Sequence, residues 1–151
     1  MRKEVQELID AVTDEADCFD DLIDTIREQR EAMSARDIDT VNDLMDEARD
    51  IFFDAQTAET LRDELAKKLA AQFSCEPKAA LLAAHLDNEE KAYFNGAADR
   101  LTQSVFVLKS EMIILSGLIE QNEHYTSMLL SEWQRLSGNN NLQSGTTDFR
   151  G

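Results

Sequence analysis

Two histidines are the first candidates for metal chemistry in this chain. A di-iron helical bundle needs a glutamate three residues before each ligating histidine, but Leu82 precedes His85 and Gln121 precedes His124 at that spacing. Glu120 and His124 would share a helix face, yet two ligands hold a metal poorly, and a surface ion pair is the favoured interpretation. The sequence therefore predicts no metal site.

Nucleophiles and phosphate-binding loops are equally scarce. Cys18 stands among aspartates, whose carboxylates raise the pKa of a neighbouring thiol and make it a poor nucleophile, and Cys75 precedes Glu-Pro with no histidine placed beside it. The acids of residues 37–46 lack the glycine and the final glutamate of an EF-hand. No G-x-G loop and no serine nucleophile elbow occur. We therefore predict a protein that is not an enzyme and needs no cofactor.

Charge excludes one class of partner and leaves another open. The 151 residues carry a net charge of −16, and nucleic-acid binding requires a basic face. Residues 1–64 hold 21 acids and 7 bases, whereas residues 65–151 hold 10 acids and 8 bases. The acidic half is either a broad solvated face or a surface for a basic partner. Because the N-terminus runs directly into acids and no apolar run approaches 18 residues, we expect a cytosolic chain without a membrane span.

Apolar residues recur at steps of three and four, which predicts long amphipathic helices. Five glycines and one proline leave little material for tight turns and support this fold class. The patterns cover about residues 3–33, 38–73 and 94–136, with a short crossover helix at 78–86 and Asp37 as an N-cap. The stripe of the second helix comprises Ile38, Val41, Leu44, Ala48, Ile51, Phe52, Ala55, Leu61, Leu65, Leu69 and Phe73.

The last pattern keeps its phase from Phe94 to Leu136, so we expect one helix that continues through Gly117. The predicted fold is all-α: long antiparallel helices in an elongated bundle, or a shorter four-helix bundle if the chain reverses near Gly117. Residues 1–137 form the predicted domain, and 138–151 a disordered polar tail. Asn122 interrupts the apolar stripe, either to set the register of the bundle or to mark an opening where a partner begins.

Five segments carry a resemblance to a known family. They are SARDIDTVNDLMDEAR at 34–49, LAKKLAAQFSCEP at 65–77, LLAAHL at 81–86, LLSEWQRLSG at 129–138 and GTTDFRG at 145–151. Together they resemble FlgN-type flagellar export chaperones. The resemblance implies a cytosolic chaperone that binds the amphipathic C-terminal segments of the hook–filament junction proteins FlgK and FlgL. It also implies delivery of these proteins to the export gate protein FlhA, without metal or ATP.

Two binding surfaces follow from this resemblance. An apolar stripe that extends beyond its neighbours can cover another amphipathic helix, and Phe149 aligns with the tail aromatic of the family and is the predicted gate contact. Two alternatives remain open: a generic helical adaptor of an assembly or secretion system, and an acidic DNA mimic that binds a basic protein. The predicted substrate-binding residues are Ile119, Asn122, Leu129, Trp133 and Leu136.

Overall fold

The computed structural model describes residues 1–121 and folds them into four helices. These are α1 (Lys3–Ser34), α2 (Ile38–Phe73), the short α3 (Ala79–Ala83) and α4 (Asn88–Gln121). The prediction of three long helices and a short crossover helix is thus confirmed for this part of the chain. The predicted continuation of the last helix to Leu136 and the boundary at residue 137 lie outside the described residues.

A tight turn joins α1 to α2 and makes them antiparallel. Arg36 adopts a left-handed backbone conformation, with φ of 58°. Asp37 then caps α2: its carboxylate accepts hydrogen bonds from the backbone N–H of Thr40 at 3.2 Å and from the Thr40 hydroxyl at 2.7 Å. These two bonds lower the pKa of Asp37. The predicted N-cap is confirmed, and a connector this short leaves no alternative to a hairpin.

The crossover from α2 to α4 is closed by a second set of caps. Ser74 ends α2 in a left-handed conformation, and Pro77 follows in the connector. Asp87 and Glu90 form a capping box at the start of α4. The backbone N–H of Glu90 donates to Asp87 Oδ1 at 2.8 Å, and that of Asp87 donates to Glu90 Oε1 at 3.2 Å. The reciprocal bonds fix the first turn of α4.

α1 is the central helix, and both α2 and α4 pack along it. α4 runs in the same direction as α1, as three long-range ion pairs along the two helices show. The order along the chain is therefore up, down and up. From the N-terminal end of the bundle, the pairs are Arg2 with Glu90, Arg100 with Asp17, and Arg27 with Glu111.

The core follows the predicted stripes of α1 and α4, but α2 departs from its prediction. Leu61 is 47% exposed, and Arg62 is buried in its place. Ala55, Arg62 and Leu69 are buried at intervals of seven residues, which is the spacing of one helix face. Leu61 lies about 100° away from this face. The prediction that Leu61 lies in the core was therefore wrong, and the buried residue is its neighbour Arg62. Ile38, the first residue of the predicted stripe, is exposed as well.

Arg62 is buried because it meets a buried carboxylate. Its Nε lies 2.6 Å from Glu15 Oε2, and its Nη2 lies 3.4 Å from Glu15 Oε1; 2% and 1% of the two side chains are exposed. Burial raises the pKa of Glu15, and Arg62 opposes that rise. Glu59 is half-buried nearby, and its pKa is raised to about 7. Burial is the larger cause of this rise, and the negative charge of Glu15 is the second. This cluster places three ionisable side chains in the α1–α2 interface.

α4 continues without a break through Gly117 to Gln121. A Cβ atom added at Gly117 would meet nothing within 4 Å. The reversal considered near this glycine does not occur, and the predicted continuous helix is confirmed as far as residue 121.

Candidate functional site

α4 carries apolar side chains on two faces. One face packs into the core, but 66% of Phe106 and 71% of Ile113 are exposed. These two residues are seven apart and thus lie on one face, which we name the outer face of α4. One 18-residue window of α4 has a mean hydropathy of 1.3, and 33% of it is buried. Length and composition alone would let such a helix cross a membrane, but core helices of soluble proteins have the same property. The buried stripe of α4 packs on α1.

A groove runs along the contact between α1 and α4. Its upstream section, about 230 Å³, is open to solvent at one side of the two helices. Ser104 donates from Oγ to Asp20 Oδ1 at 2.6 Å and joins the two walls at this level. Every described residue that lines the section belongs to α1 or α4: Asp20, Ile23, Asp24, Arg27, Gln103, Ser104 and Val107.

The downstream section of the same groove is larger and more apolar. It measures about 650 Å³ and lies where α1 ends. Ile114, which is 46% exposed, and the half-buried Leu118 form its α4 wall. The α1 wall consists of Arg30, Glu31, Ser34 and the following Ala35. We refer to the two sections together as the α1–α4 groove.

Glu111 sits between the two sections and binds both arginines of the groove. Arg27 Nε donates to Glu111 Oε1 at 3.1 Å, and Arg30 Nη1 donates to Oε2 at 2.9 Å. Glu111 is almost fully buried, whereas Arg27 is exposed. Both arginines of the groove are therefore paired with the single carboxylate of Glu111 on α4.

The upstream end of the groove is closed by Arg100. Its Nη2 donates to Asp17 Oδ1 at 2.6 Å and to Asp20 Oδ2 at 2.7 Å. These hydrogen bonds raise the pKa of the Arg100 guanidinium, the bond to Asp20 most strongly.

The predicted substrate-binding residues fall largely outside the described part of the chain. Asn122, Leu129, Trp133 and Leu136 lie there, as does the predicted gate contact Phe149. Ile119 is described: it lies in the last turn of α4 and is 1% exposed. The structure thus places Ile119 in the core at the end of the groove and not on its open surface.

Reactive chemistry has little support in residues 1–121. No group of three or more histidine, cysteine, aspartate or glutamate side chains there could hold a metal ion. Burial raises the pKa of the Cys18 thiol, and the charges of Asp54 and Asp21 add to the effect. The predicted direction is correct, but desolvation is a larger cause than the neighbouring carboxylates. His85 stacks on Phe73 with ring centroids 5.0 Å apart. The described arrangement is suited to binding an apolar surface.

The comparisons with known proteins decide the family. The family model described as FlgN protein matches residues 1–144. The chain belongs to the FlgN family. Neither the curated proteins nor the solved structures gave a match. The FlgN match includes the four helices and the α1–α4 groove, extends over Leu129, Trp133 and Leu136, and ends before Phe149.

FlgN membership fixes the general role. Proteins of the FlgN family are cytoplasmic chaperones of flagellar export and are not enzymes. The resemblance stated from the sequence is therefore confirmed at the level of the family. The outer face of α4 and the groove were not predicted, although Phe106 and Ile113, as apolar residues outside the core stripe, carried a signal for the former.

Proposed function

We propose that this FlgN chain binds the amphipathic C-terminal segments of FlgK and FlgL in the cytoplasm and delivers them to FlhA at the export gate. The observation that carries the proposal is the FlgN match over residues 1–144. An amphipathic segment held by a chaperone cannot pair with other copies of its own protein. The binding itself prevents premature assembly, with no need for ATP or a metal.

The apolar surface of α4 supports this role physically. Ile114, which lines the downstream section of the α1–α4 groove, is 46% exposed. Covering it with a partner helix would contribute roughly 1 kcal/mol by removing apolar area from water. Amphipathic helices bind such surfaces through anchors spaced three or four residues apart.

The residues proposed to hold the substrate continue from α4 into the undescribed part of the chain. They are Ile119, Asn122, Leu129, Trp133 and Leu136. Ile119 is buried. It can contact the substrate directly only if the last described turn of α4 separates from its neighbours. Otherwise it supports the binding surface from the core side. Phe149 is the proposed contact with FlhA.

Two substitutions separate substrate binding from gate binding. Phe149→Ala should abolish binding to the cytoplasmic domain of FlhA and leave binding to the FlgK and FlgL segments unchanged. Trp133→Ala should weaken binding to those segments. Pull-downs with purified partners measure both effects, and thermal melts serve as the control, because loss of a core tryptophan costs about 3–5 kcal/mol and would reduce every activity together.

A pull-down from a flagellated lysate, read by mass spectrometry, tests the proposal as a whole. Enrichment of FlgK or FlgL supports it. Enrichment of basic nucleoid proteins in their place would favour the acidic DNA mimic, since residues 1–64 carry the negative charge for such a role. Unchanged FlhA binding by Phe149→Ala would remove that residue from the gate contact.

A further inference from the structure

The α1–α4 groove has the length of a helical binding site. From Gln103 at its upstream end to Leu118 at its downstream end, α4 advances 15 residues. At 1.5 Å per residue this is about 22 Å, or four helical turns. A partner helix of similar length could span both sections by passing over the ion pairs of Glu111 with Arg27 and Arg30.

The lower surface of the groove is apolar and only partly covered. Val107 and Leu118 are half-buried, and Ile114 and Ala35 are exposed. On α4 these apolar residues recur at steps of seven and four, which follow one side of the helix. Such a row matches the apolar ridge of an amphipathic helix laid alongside it.

The unpaired charge at the groove is negative. Glu111 already binds Arg27 and Arg30. Among the described residues, Asp24 and Glu31 make no ion pair, and both are exposed on the α1 wall. They are seven residues apart, or about 10 Å along the helix axis. An occupant with basic residues at the same spacing would complement both carboxylates.

From this geometry we infer that the α1–α4 groove binds the substrate segment as an amphipathic helix, whose apolar ridge packs on Val107, Ile114 and Leu118 and whose basic flank faces Asp24 and Glu31. The inference rests on the proposed function and names the surface and the chemistry of its ligand. In this arrangement the outer face of α4 does not contact the substrate segment.

Neighbouring isoleucines provide a matched test. Ile114 lines the groove and Ile113 lies on the outer face, so the same substitution is made on two sides of α4. Calorimetry with the full chain and synthetic C-terminal segments of FlgK and FlgL measures the effect. Ile114→Lys should weaken binding at least about tenfold, whereas Ile113→Lys should change it less than about twofold.

Gln103→Arg is a second groove variant, because Gln103 lines the upstream section. Gln103 is exposed, so its substitution should not destabilise the fold. The variant places a long, charged side chain on the α4 wall of the upstream section and should also weaken binding. Asp24→Asn and Glu31→Gln should each reduce affinity and its dependence on salt. Asp21→Asn and Glu28→Gln, which alter exposed acids of α1 outside the groove, are the matched controls and should change neither.

Three outcomes would overturn the inference or its basis. Loss of binding by Ile113→Lys with retention by Ile114→Lys would place the substrate on the outer face. Light scattering that shows a dimer of the free chain, dissociated by Ile114→Lys, would assign the groove to a second copy. Failure of the unmodified chain to bind either segment would contradict the proposed function itself, and this differs from binding that is intact but insensitive to the groove.

Discussion

Replacing Arg62 with methionine removes one member of the buried ion pair between α1 and α2. Methionine matches the length of the arginine stem but cannot bind the carboxylate of Glu15, which lies 2.6 Å from Arg62 Nε. Glu15 is fully buried, so the variant must either hold an uncompensated charge or protonate it.

The size of the effect follows from this choice. Removing one partner of a buried pair costs about 3–5 kcal/mol, whereas replacing both partners by apolar residues of similar volume is neutral or stabilising. We therefore expect Arg62→Met to lower the free energy of unfolding by that amount at pH 7. The double variant Glu15→Leu, Arg62→Met should recover most of the loss. Lys3→Met, which alters an ion pair that is exposed to solvent, is the control and should cost less than about 1 kcal/mol.

Urea denaturation at pH 7 and pH 5 provides the assay. Burial places the pKa of Glu15 in the folded state above its ordinary value, and loss of Arg62 removes the interaction that opposes this rise. A carboxyl group with a raised folded-state pKa binds its proton more tightly in the folded protein. The deficit of Arg62→Met should therefore grow as pH rises above the unfolded pKa and shrink at pH 5.

Two results would refute this reasoning. If the double variant is as unstable as Arg62→Met, the loss arises from the packing of the arginine stem and not from the uncompensated charge of Glu15. A deficit of equal size at pH 5 and pH 7 would lead to the same conclusion, because lost packing does not depend on protonation.

Three further substitutions test the electrostatics and the helix. Glu59→Gln should stabilise the protein at pH 8, because burial raises the folded-state pKa of Glu59. This gain in stability should disappear as pH falls through about 7 toward 4.5. An equal difference in stability at pH 5 and pH 8, measured by urea denaturation, would contradict this. Glu90→Gln should destabilise the protein at pH 7. Its thermal melting should approach that of the unmodified chain as pH falls from 4.5 toward 2, since hydrogen bonding to Arg2 lowers the pKa of Glu90 to about 2. Gly117→Ala should add about 0.5–1 kcal/mol to the free energy of unfolding, because the space around its Cβ position is open, and destabilisation would show a close contact there.

Local signals in the sequence predicted the helices well. Asp37 and Pro77 mark their ends through capping and backbone restriction, which depend on a few neighbouring residues. The apolar spacing of α1 and α4 likewise depends only on helical periodicity. Leu61 was misplaced because a search for apolar residues cannot recognise a buried arginine, and the partner of Arg62, Glu15, lies 47 residues away in the chain.

The groove could not be predicted from local patterns. Its two walls are separated by about 80 residues in the chain, and their alignment depends on pairs such as Glu111 with Arg27. Of the predicted binding residues, Ile119 lies on the stripe as expected, but its burial depends on how far α1 extends beside α4. The family, in contrast, was recognisable from the order of helical segments along the chain.

The ion pairs between α1 and α4 determine how the two helices are aligned along their axes. The basic member of each pair comes alternately from the α1 side and from α4. Apolar stripes that repeat every seven residues would pack almost equally well after a slide of one heptad. The ion pairs remove this degeneracy, because Glu111 pairs with Arg27 at a separation of 84 residues. A slide of seven residues would set Glu111 beside Asp20 and Ile23 in one direction and beside Ser34 and Asp37 in the other, so in both cases Glu111 would lose its two arginines. The ion pairs thus fix the axial position of α4 against α1, with the end of α1 level with Leu118.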